Sequence, residues 1–293
     1  MFRRFASESW VGKRVAHRFV AGQTLEGALE AARWLNRRAI ASMFDHLGEN
    51  VTNPEQASAA TDAYVLALKR IGEADDLDCD ISIKLTQLGL DLSYELCIEN
   101  AERVLSSAAE RGTLVMIDME SHEYVDRTLR AHRDLRTRFA NVGVCLQSYL
   151  YRTAEEVFSL PDGSIIRLAK GAYLEPADVA FPRRRDVDRS FARLFATLLS
   201  RGHVVHVATH DPSLLQGAVR SVEQHGHQWD RVELQFLYGI RTDLQNRYAQ
   251  EGFPVRVYIP YGSEWYPYLT RRLAERPANL WFFLSNLVRV GER

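Results

Sequence analysis

Residues 165–211 read IIRLAKGAYLEPADVAFPRRRDVDRSFARLFATLLSRGHVVHVATHD, and their reading decides the fold. Ile165 to Leu168 is a short, mostly apolar run rich in β-branched residues, and Val204 to Val207 is a second. Between them Val187 to Arg201 carries apolar residues at three- and four-residue spacing and is closed by Gly202. A strand, an amphipathic helix ended by a glycine able to turn left-handed, and another strand make one crossover unit. Near-continuous apolar strands are buried on both faces, so the two run parallel in a sheet covered by helices.

The period continues in both directions. Further strand-length runs lie at Ile40 to Leu47, Ile81 to Leu85, Leu114 to Met119, Val142 to Leu146, Val232 to Phe236 and Val255 to Ile259. Helical patterns occupy Thr24 to Arg38, Pro54 to Glu73 and Ser93 to Arg111, the last closed by Gly112. With eight strands in the series, the expected fold is α/β, a single (β/α)8 barrel of the TIM type, and an open doubly wound sheet is the alternative. No linker or low-complexity tract interrupts the chain. The expected organisation is an N-terminal helical arm over residues 1–38 and a catalytic barrel over residues 39–293.

Bulk properties narrow the partners. At 293 residues and 46% hydrophobic, the chain can bury one large core. Lys plus Arg total 37 against 38 for Asp plus Glu, which gives no electrostatic reason to expect nucleic acid and leaves small molecules as the default partner. Cys79, Cys97 and Cys145 are too scattered for a disulfide framework, a zinc knuckle or a redox dithiol. No apolar run approaches the roughly 18 residues that span a bilayer, so a cytoplasmic location is expected. Basic residues mixed with Phe2, Phe5, Trp10 and Phe19 open the chain. They read as a targeting or membrane-surface helix or as an ordinary arm; Glu8 and the missing Ser-rich stretch favour the arm.

In a barrel, chemistry gathers where the strands end, because the loops there converge on the mouth. Strands otherwise expected to be apolar carry polar residues at those ends. These are Glu49 after the first strand, Lys84 in the second, Asp118 and Glu120 at the third, Gln147 at the fourth, and Arg167 and Lys170 at the fifth. The sixth ends in Thr209, His210 and Asp211, the seventh carries Gln235, and the eighth ends in Tyr258, Pro260, Tyr261 and Gly262. Singly, each reads as a solvated loop residue or a cap, as with Asp211 before Pro212; the collection argues for a site. A helix beginning near Ser263 would set Tyr268, Arg271, Arg272 and Glu275 on one broad face. Paired guanidinium groups aimed at a barrel mouth form a carboxylate clamp, whereas on an exposed helix they form ordinary surface pairs. Lys84 and Asp118 can pair with each other or contact ligands separately. His206 and His210 do not share a helix face, which argues against zinc, and no metal is expected. Neither a G-x-G-x-x-G fingerprint nor a P-loop is present, so any nucleotide cofactor must bind by other means.

At these positions the sequence resembles the monofunctional proline dehydrogenases of bacteria. Arg167-Leu-Ala-Lys170-Gly171-Ala172-Tyr173, followed by Glu175, is similar to that family's fifth-strand signature. Tyr258-Ile-Pro260-Tyr261-Gly262 leading to Tyr268-Leu-x-Arg271-Arg272-Leu-x-Glu275 resembles its C-terminal signature. Leu47-Gly48-Glu49, Lys84-Leu85, Ile117-Asp118-x-Glu120, Leu146-Gln147-x-Tyr149, Ala208-Thr209-His210, Glu233-Leu-Gln235-x-Leu237-Tyr238-Gly239 and Phe19-Val-Ala-Gly-x-Thr24-Leu match in order and spacing. Ser121, Asp211 and Pro277 depart from the usual pattern without removing a contact, although Pro277 should stop its helix early.

The resemblance implies a distorted barrel that holds FAD non-covalently at its mouth and oxidises L-proline to Δ1-pyrroline-5-carboxylate. It implies that Asp118, Gln147, Arg167, Lys170, Gly171, Ala172, Thr209 and His210 lie along the flavin, with Arg167 at its N5 edge and Tyr173 and Leu237 lining the space before the substrate. By the same likeness, Arg271 and Arg272 bind the proline carboxylate, Lys84, Tyr258, Tyr268 and Glu275 shape the pocket, and Glu49 closes a gate on Arg271. Tyr268 would crowd a ring hydroxyl, which favours proline over hydroxyproline. A quinone is the expected electron acceptor, and Leu280 to Val288, with Trp281, Phe282 and Phe283, packs on the barrel or makes peripheral membrane contact. Two rival readings are a glycoside hydrolase that uses Asp118 and Glu120, and a barrel that serves only as a binding module.

Overall fold

A computed structural model describes residues 19–48, 51–74, 76–225 and 229–265 of the chain. Eight parallel strands close on themselves in sequence order. They are β1 (Ala41–His46), β2 (Cys79–Ile83), β3 (Val115–Ile117), β4 (Val142–Gln147), β5 (Ile165–Ala169), β6 (Val204–Ala208), β7 (Val232–Leu237) and β8 (Val255–Tyr261). Closure is made by β1 against β8, where Ala41 to His46 pair in register with Arg256 to Tyr261. The helices are α1 (Leu25–Asn36), α2 (Pro54–Gly72), α3 (Tyr94–Ala109), α4 (Val125–Arg136), the single turn α5 (Thr153–Glu156), α6 (Arg184–Ser200), α7 (Pro212–His225) and α8 (Thr242–Gln250). The (β/α)8 expectation holds, and the eight strand positions agree with the sequence reading.

Local chemistry sets the helix ends. Thr24 Oγ1, Asn53 Oδ1 and Ser93 Oγ accept from the backbone N–H of Gly27, Gln56 and Leu96 at 3.3, 2.9 and 3.3 Å, each cap contributing on the order of 1 kcal/mol. Beyond α6, Gly202 sits at φ +88°, a conformation that side chains with a Cβ rarely adopt.

Alternation along each strand creates two compartments. Outward residues such as Phe44, Ile81, Ile83, Val144, Leu168 and Val207 pack against the helices and build the apolar core. Inward residues are a different population, and here the expectation of largely apolar strands is corrected. Asp45, Ser82, Arg167, His206, Glu233, Gln235 and Arg256 all alternate with core residues, and hydrogen bonds from β5 to β1 and β2 cross the barrel. Bonds between strands that are not neighbours can run only through the interior. A barrel lined by opposite charges satisfies them mutually, which is the condition for burying them at all.

The layer of helices is irregular at one place. α1 packs on β1 and β8 and buries Leu29, Ala32 and Leu35, while Ala21 N–H donates to Pro260 O and Gly262 N–H donates to Gly22 O at 3.1 Å each. In a regular barrel that flank belongs to the helix following the eighth strand. Here α1, the helix before β1, fills it.

Candidate active site

The polar side chains nearest the strand ends form one cluster. Lys84 is the first residue beyond β2, Asp118 follows β3 directly, Arg167 is central in β5, and Tyr258 lies in β8. Lys84 Nζ donates to Asp45 Oδ1 at 2.8 Å, to Asp118 Oδ2 at 3.3 Å and to the Tyr258 hydroxyl at 3.3 Å. Tyr258 OH and Ser82 Oγ each donate to Asp118 at 2.7 Å. Arg167 is held through all three nitrogens: NH1 donates to Asp118 and Ser82, Nε to Gln235 Oε1 at 2.8 Å, and NH2 to the Met43 sulfur. The alternative left open for Lys84 and Asp118 thus resolves as an ion pair, shared with Asp45 and Arg167.

Two cations balance two carboxylates, and this sets the protonation states. Burial alone would push Asp118 upward, but Lys84, Arg167 and the hydroxyls of Tyr258 and Ser82 outweigh it and hold the carboxyl below its ordinary value. Burial would also discharge Lys84, yet the carboxylates beside it keep it charged well above neutrality. Burial and the Asp118 charge raise Tyr258 far beyond its usual phenol value. Near pH 7 the cluster therefore presents fixed charges and a protonated phenol.

Around the mouth stand the other expected residues. Gln147 is buried; its Nε2 approaches Met119 O at 3.5 Å, while its Oε1 has no partner among the described residues. Lys170 pairs with Asp188 and, at 3.1 Å, with Asp211, which also takes Arg184 at 2.7 Å. Burial lifts Asp211, but the hydrogen bonds from Arg184 and Lys170 bring it down to about 2. Its other oxygen accepts from Ser213 N–H at 3.0 Å, so it caps α7 as well. Gly171 adopts φ +133° with the Tyr149 ring filling the place of a Cβ, so glycine fits between Lys170 and Ala172 where a side chain would not. The loop that carries Ala172 and Tyr173 is anchored by Glu175, which accepts from His122 N–H at 2.9 Å, contacts His122 Nδ1 at 2.5 Å and accepts from the Tyr149 hydroxyl at 3.2 Å. Thr209 is buried with its Oγ1 accepting from Asp211 N–H at 3.2 Å, and His210 Nε2 accepts from Leu237 N–H at 3.0 Å.

The rival constellations fare differently. Glu120 is committed to Thr86, whose N–H and Oγ1 donate to it at 3.2 and 2.6 Å. Asp118, held below its ordinary value between two cations, cannot serve as the acid of a glycosidase pair, and both oxygens of Glu120 are taken by Thr86. His206 turns inward to Gln235 while His210 serves β7, so the two histidines take unrelated partners. Among the described residues no cluster of His, Cys, Asp or Glu could hold a metal ion, and no helix is long and apolar enough to cross a membrane. Glu49, Tyr268, Arg271, Arg272 and Glu275 lie outside the described residues, as do residues 1–18, Pro277 and the 280–288 segment. Sequence reading missed Asp45, Ser82 and Arg256, and it held Glu233 only as part of a matching stretch. Their signal was available: each is a polar residue at an alternate position of an otherwise apolar strand.

Comparison with known proteins adds an independent line. A family model described as Proline dehydrogenase matches residues 28–284. The chain is 42% identical over 281 residues to Proline dehydrogenase of Deinococcus radiodurans, covering 94% of this chain and 90% of that protein. It is 39% identical over 275 residues to Proline dehydrogenase 1 of Bacillus subtilis strain 168, covering 94% and 91%. Among solved structures, proline utilization A (PutA) from Bdellovibrio bacteriovorus, inactivated by N-propargylglycine, superposes with a TM-score of 0.83 at 21% identity. That match covers 89% of this chain but only 32% of the longer protein, and at such identity it bears on the fold alone.

Proposed function

The chain belongs to the proline dehydrogenase family, and from that premise we propose that it oxidises L-proline to Δ1-pyrroline-5-carboxylate with FAD bound non-covalently at the barrel mouth. One observation supports this reading most strongly: a buried guanidinium, that of Arg167, is fixed through every nitrogen beside the Lys84, Asp118 and Tyr258 cluster. The residues present fit the cofactor. The buried Gln147 oxygen, without a partner among the described residues, is an acceptor suited to a ring N–H. Asp118, Gln147, Arg167, Lys170, Gly171, Ala172, Thr209 and His210 would hold FAD, with Tyr173 and Leu237 between it and the substrate. When bound, FAD supplies the hydride acceptor, its N5, for the hydrogen that leaves C5 of proline.

The protein's part is positioning and charge. Arg271 and Arg272 would clamp the proline carboxylate in bidentate fashion, with Tyr268 and Glu275 on the same segment shaping the ring pocket. Occupation of the β8 and β1 flank by α1 is consistent with that segment serving the mouth. Lys84 and Tyr258 hold their protons through neutral pH, and Asp118 is kept deprotonated by two cations, so none of the three is a base of matched strength. The substrate amine therefore does not give its proton to any of these three. Glu49 would close over the pocket by pairing with Arg271. Electrons then pass to a quinone, reached by peripheral contact with the inner face of the membrane.

Anaerobic titration of the purified protein with L-proline, following the oxidised flavin band, tests the reading. Stoichiometric bleaching is expected; a protein without flavin, or a flavin indifferent to proline, would overturn it.

A further inference from the structure

Below the mouth, a chain of hydrogen bonds runs from Arg167 into the barrel interior. Arg167 Nε–H donates to Gln235 Oε1 at 2.8 Å. The Gln235 amide nitrogen donates to Glu233 Oε1 at 2.8 Å and lies 2.9 Å from His206 Nδ1. Glu233 is held from the far side by Arg256 Nε, at 3.1 and 3.0 Å from its two oxygens. Gln235 and His206 are 5% and 6% exposed, so solvent does not substitute for any of these partners.

We propose that Gln235 and His206 are positioning residues, which fix the Arg167 guanidinium in one plane by permitting only one orientation of the Gln235 amide. The inference rests on the reading of Arg167 as the cation beside the flavin. An amide nitrogen carries two protons, and a carboxylate only accepts. With one proton given to Glu233, the second goes to His206, whose Nδ1 must then be a lone pair and whose ring must be neutral. Burial, the largest influence, together with Arg256 and Arg167 lowers His206 to about 4 despite the Glu233 charge, in keeping with that state. Turning the amide over would set its NH2 against the Arg167 N–H and its oxygen against the Glu233 carboxylate, two repulsions at once. Asp118 and Ser82 secure NH1 and the Met43 sulfur faces NH2; Gln235 secures Nε, the nitrogen nearest the chain. Reaction rates are sensitive to displacements on the order of 1 Å, so this third tether bears on turnover.

The test uses the full chain loaded with FAD, mixed rapidly and anaerobically with saturating L-proline, with the flavin midpoint potential measured in parallel. The variants are Gln235→Leu, His206→Leu, His206→Asn and, as reference, Arg167→Met. Gln235→Leu and His206→Leu are expected to slow flavin reduction roughly 10- to 100-fold, with proline half-saturation within about three-fold of wild type. Both should move the potential in the direction that Arg167→Met moves it. His206→Asn, whose amide oxygen can accept where Nδ1 does, should recover most of the lost rate. Wild-type rate and potential in Gln235→Leu, with Arg167→Met slow, would overturn the relay while leaving the Arg167 reading intact. Equal slowing by His206→Asn and His206→Leu would overturn it as well. Should Gln235→Leu fail to fold, the His206 pair decides alone. If Arg167→Met reduces flavin like wild type, the reading of Arg167 falls and takes the relay with it.

Discussion

Replacement of Asp118 by asparagine probes the interior charge balance directly. The carboxylate accepts from Ser82 and Arg167 on one oxygen and from Tyr258 and Lys84 on the other. Asparagine keeps the shape but turns one of those oxygens into an NH2, which then meets either the Arg167 guanidinium or the Lys84 ammonium, donor against donor. Two buried cations also remain against Asp45 alone, whose Oδ2 already has no partner among the described residues. One charge-assisted hydrogen bond is worth about 1.5–3 kcal/mol, and breaking a buried ion pair costs about 3–5 kcal/mol. A net loss near 3 kcal/mol is expected, which in a domain of this size lowers Tm by about 6 °C or more. Thermal unfolding of the flavin-loaded proteins at one scan rate measures it. The pH dependence has a definite sign. Because the folded Asp118 carboxyl is held below its ordinary value, its contribution is complete above about pH 4 and is lost as pH falls through the folded value. The gap between wild type and variant should hold steady between pH 8 and 5, by this linkage, and narrow at roughly pH 4 and below. A Tm difference under about 2 °C at neutral pH, or a gap undiminished in acid, would refute the argument from charge compensation.

Three further outcomes are expected. Gly171→Ala forces a methyl group onto the Tyr149 ring at a backbone angle that alanine disfavours, so it should cost about 2 kcal/mol or more and lower the flavin-to-protein absorbance ratio of the purified enzyme. Arg272→Ala should weaken proline binding by about 2–5 kcal/mol while leaving flavin content unchanged, as read by titration of the flavin spectrum. Glu49→Gln should raise KM for proline in steady-state assays; an unaltered KM would dismiss the gate.

The fold was legible because its signal is repeated. Eight apolar runs separated by helices cannot be satisfied by many architectures, and Ser93, Thr24 and Pro54 marked helix starts that the structure retains. The third strand is shorter than its apolar run, Val115–Ile117 against Leu114 to Met119, although Leu114 O and Asp118 N–H still bond to β2. Strand-end polar residues were legible for the same reason: Lys84, Asp118 and Arg167 stand out against hydrophobic neighbours. Pairing between them was not, because it depends on how far each side chain reaches across the lumen, which spacing along the chain does not encode. Arg256 illustrates the limit. Its partners Asp78, Asp80 and Glu233 come from two other strand regions, and only barrel closure brings them together.

That α1 fastens the first strand to the last has a consequence for how such a chain diversifies. The seam of the cylinder is stitched by residues that precede it, so substitutions along Leu25–Asn36 are the ones constrained by the need to keep the staves closed. Trimming the chain into Leu25–Asn36 should split the cylinder even though every strand is still present.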